Sequence, residues 1–67
     1  MIDTNKLLGY IVGSKSTVAT IAEQIGLSEI GFIKRVGNMS DFTVLEINIL
    51  CEVLSIPKEE AISVFFA

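Results

Sequence analysis

At 67 residues the chain has room for one domain, near the lower size limit for folding without a metal or a disulfide. It has no histidine and a single cysteine, Cys51, which excludes an internal disulfide and any ordinary zinc site. Net charge is −3, pI about 4.6, hydrophobic content 51% and mean hydropathy +0.64, a high apolar share for a domain whose surface must largely stay wet.

A lone reduced thiol suits an intracellular protein. The apolar runs fall far short of the ~20 residues that span a bilayer, and Asp3 and Lys6 interrupt the stretch where a signal peptide would begin. The expectation is a soluble, cytoplasmic protein that needs no cofactor. Charge is uneven along the chain. Residues 1–40 set Lys6, Lys15, Lys34 and Arg35 against Asp3, Glu23 and Glu29, a net of +1. Residues 41–67 set Lys58 against Asp41, Glu46, Glu52, Glu59 and Glu60, a net of −4.

The pattern predicts a single all-α domain over residues 1–67, built from five short helices. Asp3 or Thr4 caps the first, Leu7, Leu8, Ile11 and Val12 form its apolar stripe, and Gly13 ends it. Thr17 or Ser16 caps a second helix over about 18–25, with Ile21, Ala22 and Ile25 on one face. Gly26 and Leu27 make a turn, and Ser28 caps a third helix over about 29–36, in which Phe32 and Val36 face inward. Gly37-Asn38 supplies residues that tolerate the left-handed conformation at its end. Thr43 and Glu46 read as a capping box opening the fourth helix, with Phe42 as its staple. Val44, Ile47, Leu50, Cys51 and Leu54 give that helix its stripe. Pro57 restarts the chain, and Lys58 to Phe66 form a last helix with Ala61, Ile62 and Phe65 facing in.

Thr17, Ile21, Ala22, Ile25, Gly26, Leu27, Ser28, Phe32 and Val36 together resemble the helix-turn-helix domains of phage repressors and Cro-type regulators. "NMSDFTVLEI" resembles the segment that opens the next helix in small phage members of that group. The likeness runs from Leu7 to Phe66. It implies a compact five-helix, lambda-repressor-like fold, often homodimeric, whose third helix enters the major groove.

Carried over residue by residue, the family's DNA-contacting positions are poorly matched. Val18 stands where a phosphate-contacting Gln is common. Glu29 stands where Arg or Gln reads base edges, Ile30 and Gly31 stand where small polar residues are usual, and Ile33 occupies a further exposed position. Thr17, Ser28, Lys34, Arg35 and Asn38 keep groups suited to phosphate or base contact. Operator affinity depends heavily on neutralised phosphates, whereas a dimer of this chain carries −6, twice its charge of −3. At a groove Glu29 would find only a cytosine amino group welcoming. Burying Val18, Ile30 and Ile33 in a protein partner contributes ~1.5–3 kcal/mol each before association costs.

Two roles remain open for several of these residues. Val18 and Ile33 also fit the half-buried edge of a small core. Glu29 also stabilises a helix N-terminus, and Lys34 and Arg35 a helix C-terminus. Leu45 and Ile49 would form an apolar ridge on the fourth helix, Cys51 acts as a small hydrophobe, and Phe65-Phe66 closes the core or meets a second copy. Nothing assembles a nucleophile with a base, so an enzyme is not expected.

The leading expectation is a phage regulator in a lysogeny switch. It would bind a repressor's DNA-binding domain through Val18, Ser28, Glu29, Ile30, Ile33 and Lys34, and so act as an antirepressor of the modulator-of-repression type. The alternative is a Cro-like homodimer that binds operator DNA through Thr17, Ser28, Lys34, Arg35 and Asn38. A toxin–antitoxin or anti-defence module on the same scaffold has no distinguishing residue.

Overall fold

The computed structural model describes all 67 residues. Five α-helices follow one another with no strand: α1 (Thr4–Gly13), α2 (Val18–Gln24), α3 (Glu29–Val36), α4 (Val44–Val53) and α5 (Lys58–Phe65). Four of them begin at a side chain that accepts from the third N–H inside the helix. Asp3 receives Lys6, Thr17 receives Thr20, Ser28 receives Gly31 and Thr43 receives Glu46, all within 3.0–3.1 Å. Each satisfies one donor that the helix start leaves without a partner. Glu46 returns the favour, accepting from the Thr43 N–H at 2.9 Å and completing the capping box. α5 has no side-chain cap and starts after Pro57, whose fixed φ is already suited to a helix entry.

The helix ends share a device. Gly26, Asn38 and Ser55 take positive φ after α2, α3 and α4, and the next N–H in each case reaches back five residues. Leu27 bonds the Ala22 carbonyl at 2.9 Å, Met39 that of Lys34 at 2.8 Å and Ile56 that of Cys51 at 2.9 Å. These are Schellman closures, which satisfy late carbonyls; the apolar residue that follows turns inward after α2 and α4, while Met39 after α3 stays exposed. Ile56 is buried by this route and Leu27 packs against the core. Of the Gly37-Asn38 pair it is Asn38 that is left-handed, at φ 64°.

α2 packs on α3 and α4, while α5 packs on α1 and α4. The thirteen buried residues are all apolar. Leu7, Ile21, Phe32, Leu50 and Val64 form the centre. Phe42, on the connection before α4, meets the rings of Phe32 and Phe65 edge-on, each at 6.0 Å, an arrangement that aromatic quadrupoles favour.

Three predicted stripes are out of phase with this core. On α1, Leu7 and Ile11 are buried but Leu8 and Val12 are exposed. On α4, Val44 is exposed and the stripe begins at Ile47. On α5, Ile62 is exposed and Val64 takes its place inside. Each of the three helices carries an apolar arc wider than the face it buries, so periodicity alone left their rotation undetermined. The expected ridge of Leu45 and Ile49 is split, Leu45 standing out and Ile49 packing against the core. Phe65 closes the core, and Phe66 is exposed.

Candidate interaction face on α3

Eight residues make α3, and its two faces differ sharply. Phe32 and Val36 are buried among α1, α2 and α4 residues. The opposite face carries Glu29, Ile30, Ile33 and Lys34, all exposed; Ile30 is 68% accessible and Ile33 54%. Two large aliphatic side chains thus stand in solvent one turn apart, with an acid before them and a base after them. Neither Glu29 nor Lys34 is held by an ion pair within the chain, where the sole such pair is Arg35–Glu46.

Arg35 is turned away from this face. Its Nε lies 3.3 Å from Glu46 Oε1, with 23% and 14% of the two side chains accessible, and one of its Nη1 hydrogens is donated to the Gly31 carbonyl at 3.0 Å. Gly31 makes that path available, since a Cβ there would sit 3.0 Å from Ser28 Oγ and 3.2 Å from Arg35 Nη1. The glycine costs helix propensity and in exchange lets the guanidinium lie along α3 towards α4. Arg35 therefore ties two helices together and leaves Lys34 as the exposed cation of α3.

Asn38 is likewise occupied. Its Oδ1 accepts from the Ile2 N–H at 2.8 Å and its Nδ2 donates to the Ile2 carbonyl at 3.0 Å, a two-sided clamp on the N-terminal segment. That segment is pinned again where Thr4 donates its hydroxyl to the Val36 carbonyl at 2.7 Å and Asp3 its N–H to Val64 at 2.8 Å. Arg35 and Asn38, the two residues expected to offer groups to nucleic acid, are each engaged within the chain. Thr17 and Ser28 are exposed but serve as caps, and Thr17 also donates its hydroxyl to that of Thr20 at 2.9 Å.

Val18 is half-buried and packs against the core, so it does not project as Ile30 and Ile33 do. It lines a shallow apolar hollow of about 220 Å³ together with Leu8, Ile11, Phe32, Ile33, Val36 and Gly37. The hollow joins Ile33 to Leu8, and Leu8 stands one turn from the exposed Val12 on α1. The apolar surface thereby continues from α3 across Val18 to α1. Leu8 and Val12 were missed as surface residues because both were assigned to the core stripe of α1; the glycines at positions 9 and 13 beside them were the available hint.

A second and larger concavity, about 670 Å³, runs between α4 and α5 with Val44, Ile47, Cys51, Ile56, Ala61 and Phe66 in its lining and Asn48, Glu52 and Lys58 at its polar parts. Burial pushes the Cys51 thiol above its ordinary pKa, which holds it protonated and weakly nucleophilic. No group of three His, Cys, Asp or Glu side chains is arranged to hold a metal ion, and no helix is long and apolar enough to cross a membrane. Comparison with known protein families, curated proteins and solved structures gives no match.

Proposed function

We propose that the chain is a phage-type helix-turn-helix regulator of a lysogeny switch that works as an antirepressor, docking α3 on the DNA-binding domain of a repressor. α2, the Gly26-Leu27 turn and α3 would be the helix-turn-helix, and Glu29, Ile30, Ile33 and Lys34 the contact face, with Ser28 at its edge and Val18 beneath it. The observation that carries this reading is the exposure of Ile30 and Ile33 on the outer face of α3. A groove-reading helix keeps polar groups there, and desolvating two aliphatic side chains is favourable against a protein surface at roughly 1.5–3 kcal/mol each before association costs. Glu29 adds an acid that suits the cationic surface by which a repressor meets DNA.

Isothermal titration of the chain with a cognate repressor's N-terminal domain tests it. The expected result is saturable binding that Ile30→Glu and Ile33→Glu each weaken at least about tenfold, since tenfold is about 1.4 kcal/mol and each buried side chain contributes at least about that much. Absence of binding by the wild-type chain, or binding indifferent to both substitutions, refutes the proposal.

Direct operator binding as a Cro-like homodimer is the weaker reading. Withdrawal of Arg35 onto Glu46 and of Asn38 onto Ile2 leaves Lys34 with Thr17 and Ser28 for that task, and each missing cation removes one unit of counterion-driven affinity.

A further inference from the structure

The outer face of α3 is its own complement, and we infer that a second copy of this chain covers it in the free protein. Helical positions advance about 100° per residue, so Glu29, Ile33, Ile30 and Lys34 fall in that order across an arc of about 140°. The acid lies at one edge near the helix start and the base at the other edge near its end, with the two isoleucines between. A two-fold axis in the contact plane, perpendicular to the Glu29–Lys34 diagonal, sets Glu29 of each copy against Lys34 of the other. The same operation brings each isoleucine onto its counterpart. Such a contact is isologous and closes at two copies.

Charge selects this occupant. A surface of one sign pairs with only one edge of the face. A surface with both signs in reversed order satisfies both edges, and α3 of a second copy presents that order. Glu29 and Lys34 are exposed and without an ion-pair partner inside the chain, whereas Arg35 is bound to Glu46 and does not compete for the partner's acid. The regulatory consequence rests on the antirepressor reading: self-association would cover the docking face, so a repressor would have to displace the second copy.

Sedimentation velocity of the full chain over a concentration series tests the inference. The wild type is expected to dimerise, and Glu29→Lys and Lys34→Glu each to raise the dissociation constant by about tenfold or more, because each substitution sets like charges at both symmetry-related contacts. An equimolar mixture of the two variants is expected to recover the dimer, since their reversed edges then meet with opposite sign. Circular dichroism of each variant establishes that it is folded, and the mixture adds no substitution that could repair a misfolded chain. A wild type that stays monomeric, a dimer that resists both reversals, or a mixture that does not recover association would overturn the inference. Repressor binding by a chain that never self-associates sinks this inference alone; self-association without repressor binding sinks only the antirepressor reading.

Discussion

Arg35 shows how one side chain changes the meaning of a surface. Its guanidinium spans Gly31 and Glu46 and is mostly withdrawn from solvent, so its loss is expected to register as stability. Arg35→Met keeps the aliphatic stem and removes the ion pair; the expected cost is about 1–2 kcal/mol, between the values of exposed and buried pairs. Urea unfolding measures that cost, and repressor affinity measured in parallel should stay within about twofold, because Arg35 is not on the docking face. A large loss of affinity with unchanged stability would reverse the assignment. Asn38 is separable in the same manner. Asn38→Ala loses two hydrogen bonds at about 0.5–1.5 kcal/mol each and keeps a Cβ in left-handed backbone. Asn38→Gly loses the same bonds but removes that Cβ, so it should be milder than Asn38→Ala by about 0.5–1 kcal/mol, the strain relieved less the added chain entropy. Equal losses in the two would show that the backbone at φ 64° carries no strain.

At the scale of the element, the helix ends were the most readable part of this chain and the helix rotations the least. Caps are local chemistry: Thr17, Ser28 and the Thr43/Glu46 box each act within three residues, and a residue within three positions is visible in sequence. Rotation depends on what packs from far along the chain. On α1, which of Leu7/Ile11 or Leu8/Val12 goes inside is decided by α5 and the buried Ile2, not by anything between residues 4 and 13. The candidate face was legible for the complementary reason. Phe32 and Val36 share one face of α3 at a spacing of four, and Ile30 and Ile33, off that line, stand outside. The ties of Arg35 to Glu46 and Asn38 to Ile2 were not legible, because they join positions eleven and thirty-six apart across different elements. Ser55 was also unmarked, since its φ of 55° occupies a place where glycine is the usual signal. Ser55→Gly should therefore stabilise the chain by about 0.5–1 kcal/mol, the relief of left-handed strain less the added chain entropy, read as a higher urea midpoint at unchanged slope. A lower midpoint would mean that the Ser55 side chain contributes something the backbone geometry does not show.

For the whole molecule, the question is whether a domain with net charge −3 meets its partner through charge or through grease. Half of its acids lie on α4 and α5, where Glu52, Glu59 and Glu60 are exposed, and its exposed aliphatic groups on the α1–α3 side run from Ile30 and Ile33 over the Val18 hollow to Leu8 and Val12. These two sides make different demands on salt. Contact with nucleic acid releases counterions, so affinity falls with a log–log slope near −0.9 per phosphate neutralised, and even three such contacts cost roughly fortyfold between 50 and 200 mM salt. Contact through the apolar side has only the Glu29 and Lys34 edges to screen, at about 0.2–1 kcal/mol each. Repressor affinity measured across that salt range is therefore expected to change by less than about fivefold. Leu8→Ser, which removes apolar area well away from both charged edges, should weaken binding about threefold to tenfold by the same factor at every salt concentration. A steep salt slope, together with indifference to Leu8→Ser, would move recognition off the apolar surface and return Lys34 to the centre of the mechanism.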